Sequence, residues 1–112
     1  MPMKTIDIEF SEAAVERFKE FLSGITDYEP TLVLTKGRWQ HEAEEHWRYG
    51  AYGPDNLEFL VPGFEKLGHS LLYEIGGLTV AISQPDKINE LLGKTIDIGD
   101  SYLIVNERSY GI

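Results

Sequence analysis

The sequence contains no cysteine. Disulfides, thiolate clusters, zinc ribbons and nucleophilic thiols are therefore excluded on chemical grounds. Positive charge is also scarce: 10 Lys and Arg stand against 19 Asp and Glu, for a net charge of -9. Phosphate backbones and anionic membrane surfaces are repelled by such a chain, so nucleic acid is not an expected partner. No apolar run approaches the roughly 20 residues that cross a bilayer, and Met1-Pro2-Met3-Lys4-Thr5-Ile6-Asp7 has no apolar h-region. The expectation is a cytoplasmic protein without a membrane span. Catalytic signatures are missing too. No nucleophile elbow, P-loop or Gly-x-Gly-x-x-Gly loop occurs, which argues against an enzyme.

What is present suits a single domain over residues 1–112. The hydrophobic share of 42% and charged share of 26% are ordinary for a chain that folds around one core. Ile6, Ile8 and Phe10 alternate with Asp7 and Glu9, the period of a half-buried strand. A helix follows, with Ser11 as N-cap, Glu12 in the first turn and Ala14, Val15, Phe18, Phe21, Leu22 and Ile25 at helical spacing before Gly24. The β-branched run 31–35 reads as a central strand. The segment 57–61, after the turn signal Gly53-Pro54-Asp55-Asn56, reads as another strand.

Gly76-Gly77 lies between two apolar runs, 71–75 and 78–82, and predicts a tight two-residue hairpin. Gln84-Pro85-Asp86 opens a second, shorter helix with Ile88, Leu91 and Leu92 inward and Gly93 as its stop. A last hairpin joins 95–98 to 102–105 through Gly99-Asp100, leaving a short polar tail to residue 112. The expected class is mainly β with two short helices, that is, α+β.

Two groups of residues invite a functional reading. His41, Glu42, Glu44, Glu45 and His46 form the one dense cluster of hard or borderline metal ligands. On a helix, His41 and Glu45, or Glu42 and His46, would share a face, although the spacing is not that of a zinc His-Glu-x-x-His helix. Trp39, Trp47, Tyr49 and Tyr52 place four aromatics in the polar, glycine-broken stretch 36–56, and they suit either a core or an interaction patch. That stretch is long for a structureless loop, so an extended hairpin is expected, with Trp39 near its start and the other three rings on its return.

Several segments together resemble the HesB-like, or A-type iron–sulfur carrier, family. Ile8-Glu9-Phe10-Ser11-Glu12-Ala13-Ala14-Val15-Glu16-Arg17-Phe18 is similar to that family's opening strand and helix. Gly77-Leu78-Thr79-Val80-Ala81-Ile82 resembles its central strand, and Leu91-Leu92-Gly93-Lys94-Thr95-Ile96-Asp97-Ile98 its "leucine, Gly, x, Thr, aliphatic, Asp, aliphatic" segment. Tyr102-Leu103-Ile104-Val105-Asn106 resembles its final strand. The resemblance implies a HesB-like fold, with mixed and antiparallel sheets in a compact sandwich or pseudo-barrel. It also implies ligand cysteines after the second strand and in a Cys-x-Cys pair near the C-terminus. Those regions read Lys36-Gly37-Arg38-Trp39-Gln40 and Glu107-Arg108-Ser109-Tyr110-Gly111-Ile112 here. Without thiolates a cluster has no soft ligands, so no cofactor is expected. Two functions follow as expectations: a non-catalytic HesB-like module linked to iron–sulfur assembly through protein contacts or self-association, or a divalent-metal protein using His41, Glu42, Glu45 and His46.

Overall fold

A strand stays in one sheet only while its backbone remains extended, and the first apolar alternation does not. The computed structural model describes residues 4–107, the side chain of His69 excepted, so the expected polar tail at 108–112 lies outside the described residues. β1 (Lys4–Thr5) and β2 (Ile8–Phe10) are separate strands, because the Ile8 N–H turns back to the Ile6 carbonyl at 2.9 Å. β1 runs parallel to β5 (Leu72–Ile75), whereas β2 runs parallel to β7 (Lys94–Ile98). The segment read as one strand thus serves two sheets. The side-chain pattern survives the jog, with Ile8 buried and Ile6 and Phe10 packed against the same core.

The remaining strands are β3 (Thr31–Gly37), β4 (His46–Tyr52), β6 (Leu78–Ile82) and β8 (Leu103–Glu107). One sheet has the order β1-β5-β6-β3-β4 and the other β2-β7-β8. Both are mixed: β3 pairs parallel with β6 and antiparallel with β4, and β7 pairs antiparallel with β8. The architecture is α+β, with eight strands in two mixed sheets and a few short helices among the described residues. None of those helices is long and apolar enough to cross a membrane.

The large sheet is apolar on both faces. Leu32, Leu34, Val80 and Ile82 join Phe18, Trp47, Ile96 and Leu103 in the main core, while Val33, Ala81 and Leu72 join Leu57 and Val61 in a smaller one. Continuous apolar runs are what a strand buried on both faces requires. The helix α1 (Glu12–Ser23) buries Ala14 and Phe18 in the main core.

The second core corrects the reading of 57–61. That segment belongs to α2 (Pro54–Leu60), entered from an extended Gly53 with Pro54 in its first turn. Leu57 and Val61 sit four apart and are both buried, whereas Phe59 is 88% exposed. A short apolar run has too few residues for period two to be told from 3.6, and the Gly-Pro signal marked a helix start rather than a turn before a strand. α3 (Phe64–Leu67) follows. Its entry is tied down by the Glu58 carboxylate, which accepts from the N–H groups of Gly63 at 2.9 Å and Glu65 at 2.6 Å. The expected second helix is a 3-10 segment, Pro85–Glu90. Leu91 is fully buried after it, but Leu92 is 38% exposed and does not face inward.

Two polar devices fix the frame. Ser11 caps α1 by accepting from the Ala14 N–H at 3.1 Å, and its hydroxyl donates to Asp97 of β7 at 2.7 Å. The helix entry is thereby fastened to the small sheet. Where β6 ends, the Gln84 side-chain amide acts as one more peptide unit: it accepts from the Lys36 N–H at 2.8 Å and donates to the Lys36 carbonyl. Gly76 and Gly77, at φ 59° and 80°, form the expected hairpin tip between β5 and β6.

Ser11→Ala is expected to cost about 1 kcal/mol in urea unfolding at neutral pH, the usual worth of an N-cap. The Ser11 hydroxyl, and after it the Ile98 N–H, holds the Asp97 carboxyl below its ordinary pKa. A depressed folded pKa adds stability above the unfolded carboxylate value and loses it as the pH falls through the folded one. The gap between wild type and Ser11→Ala should therefore narrow below about pH 4.

At the hairpin tip, Gly76→Val should lower stability by about 1 kcal/mol or more through its positive φ. It should cost more than Gly77→Val, because a Cβ at Gly76 meets Val15 at 3.0 Å and one at Gly77 meets nothing within 4 Å. Thermal melts of the two variants compare them directly.

Candidate functional site

β3 and β4 pair along their whole length, from Thr31 with Tyr52 to Gly37 with His46. A hairpin is present, but not over the expected 36–56: its outgoing arm is β3 itself, it ends at Tyr52, and 54–56 already belong to α2, while Trp39 stands at the start of its loop and Trp47, Tyr49 and Tyr52 on the return strand. Trp39 is 60% exposed, while Trp47 is buried to 4%. Tyr49 packs on the main core, edge-on to Phe18 at 4.8 Å and to Phe21 at 5.2 Å. Tyr52 packs against the second core. The four rings do not form one patch, because alternation along β4 and the cover supplied by α1 and β8 turn Trp47 inward. Of the four, Trp39 is the ring open to a partner.

Arg48, between two of those rings, organises the loop. Its guanidinium donates to the Gly37 carbonyl at 3.2 Å, to the Ser101 carbonyl at 3.3 Å and to the Glu42 carboxylate. It also lies 3.9 Å from the centre of the Trp39 ring, a cation–π contact that holds both groups in place. One side chain thus ties the hairpin loop to the turn between β7 and β8. Sequence reasoning passed over Arg48, although a cation flanked by aromatics on a strand was the available signal.

Three of the four proposed metal ligands, Glu42, Glu45 and His46, are engaged in other contacts. Glu42 accepts from the Trp39 N–H at 2.8 Å as well as from Arg48. These contacts, the Trp39 N–H foremost, keep its pKa below the usual carboxylate range. Glu45 is ion-paired with Lys87 at 3.0 Å. The His46 ring stacks on Tyr102 with centroids 3.7 Å apart, and His41 is at an exposed position in the loop. The segment is a turn and strand rather than a helix, so the expected i, i+4 faces do not form. Among the described residues no group of three or more His, Asp or Glu could hold a metal ion.

Two clefts open beside the His46–Tyr102 stack. The larger, about 410 Å³, lies between β4 and β8 and is walled by Lys36, Trp47, Glu90 and Leu103. The Lys36–Glu90 ion pair neutralises its rim. The smaller, about 230 Å³, is bounded by Arg17, Trp39, Arg48, Tyr49, Asp100 and Tyr102. It gathers α1, the hairpin loop and the β7–β8 turn, three regions distant in sequence. No protein-family model matches the chain, and no curated protein or solved structure is found to match it.

Trp47 Nε1 is buried with no hydrogen-bond partner, a deficit of about 1–3 kcal/mol. Trp47→Ala should destabilise by about 3–5 kcal/mol. Trp47→Phe keeps a ring and removes the unpartnered donor, so its cost should stay below about 2 kcal/mol. Chemical denaturation of the two variants gives the comparison, and equal losses would show that Nε1 has a partner in solution.

Proposed function

We propose that the chain is a non-catalytic binding module on a HesB-like scaffold, one that takes part in iron–sulfur assembly through protein contacts and ligates no cluster itself. The carrying observation is the absence of cysteine from a sequence whose family-like segments coincide with β2, α1, β6, β7 and β8. In this reading the family-like segments supply the scaffold, and a sequence without thiolates has no ligands that select an iron–sulfur cluster. Support for a contact role comes from apolar rings left open to solvent, Trp39 and Phe59 above all, since aromatic side chains dominate the energetics of protein interfaces.

Anaerobic reconstitution with ferrous iron and sulfide tests the reading. The desalted protein should remain colourless, with sulfide far below stoichiometric. A stable visible charge-transfer band with stoichiometric sulfide would overturn it.

A further inference from the structure

The smaller cleft carries charges of both signs that form no ion pair among the described residues. Arg17 enters from the exposed face of α1 and Asp100 from the turn between β7 and β8. Among the described residues neither side chain takes part in an ion pair, whereas Lys36, Arg48, Lys87 and Lys94 all do. Arg48 is already committed to Glu42 and two carbonyls, so it serves as a fixed wall and contributes little net charge to an occupant. Trp39, held on one side by Arg48, leaves most of its ring open. Tyr49 and Tyr102 complete an aromatic lining.

The charge pattern selects among ligands. A simple anion would meet Arg17 but face Asp100 and the field of a chain carrying -9, and a simple cation would meet Asp100 but face Arg17. A zwitterion satisfies both, with its carboxylate on the planar guanidinium donors of Arg17 and its ammonium on Asp100. The volume of about 230 Å³ falls below the roughly 300 Å³ at which sites for drug-sized ligands begin. That space suits a single residue, and the exposed indole and phenol surfaces suit an aromatic side chain. We propose that this cleft between Arg17 and Asp100 is a binding site for a free aromatic α-amino acid. The site does not depend on the HesB-like reading of the scaffold.

Titration calorimetry of the full chain with L-phenylalanine, N-acetyl-L-phenylalanine and L-phenylalaninamide tests it, with intrinsic fluorescence reporting on exposed Trp39. Phenylalanine should bind saturably. The acetylated and amidated forms, each lacking one charge, should bind at least tenfold more weakly to the same wild-type protein. Arg17→Gln and Asp100→Asn should weaken phenylalanine binding by a similar factor without shifting the melting temperature, since neither side chain has an ion-pair partner among the described residues. Absence of saturable binding by phenylalanine, tyrosine and tryptophan would overturn the proposal. So would blocked forms that bind as well as the free amino acid, or variants that bind as well as wild type.

Discussion

Val33 and Ala81 face one side of the large sheet while Leu32, Leu34, Val80 and Ile82 face the other, so the parallel β3–β6 pair must be covered twice. Most other features answer that demand. α1 and the small sheet close one face, and α2 closes the other with Leu57 and Val61. At roughly 25 cal/mol per Å² of apolar surface removed from water, leaving either face open would forfeit much of the driving force of a chain this short. The helix at 54–60 is thus better understood from what it covers than from its own propensity.

The polar groups obey a complementary rule: among the described residues no polar or charged side chain is fully buried other than the indole of Trp47. Polar contacts act at the edges, where elements end and backbone groups would otherwise lack partners. Gln84 extends the ladder beyond β6, Glu58 receives the amides that open α3, and Arg48 gathers carbonyls from the end of β3 and the β7–β8 turn. Each is a long side chain doing the work of a missing strand or turn. The clefts beside His46 and Tyr102 lie where the edge of the large sheet meets β8 without pairing to it.

Much of the frame was legible because local chemistry and tertiary demand agreed. Ser11 before a helical apolar pattern, two glycines between alternating runs, and Gly99-Asp100 between β-rich segments each specify a local geometry that the fold uses. Residues 57–61 were misread because five apolar-rich residues fit strand and helix alike, and the deciding fact was the sheet face they cover. The jog at Ile6-Asp7 was hidden for another reason: alternation reports which way side chains point and says nothing about which sheet receives the backbone. The site was less legible still. Trp39 and Trp47 look equivalent in sequence but lie at opposite extremes of exposure, and Arg17 and Asp100 are brought to one cleft only by packing of α1 against the small sheet.

The jog also bears on how the chain acquires its structure. Residues 4–10 pair only with strands that come some sixty or more positions later, Lys4 with Tyr73 and Ile8 with Lys94, and the cap hydroxyl of Ser11 finds Asp97 across a separation of 86. Parallel pairings at such range carry the full entropy of closing a long loop before any contact rewards it. Immobilising residues 4–10 therefore costs more closure entropy than pairing the strands of the β3–β4 or β7–β8 hairpin. Until β7 is in place β2 has no strand to pair with, and the jog that carries residues 4–10 from one sheet to the other is not fixed. The largest loop-closure cost in the fold thus falls on the joining of the two sheets rather than on the β3–β4 or β7–β8 hairpin.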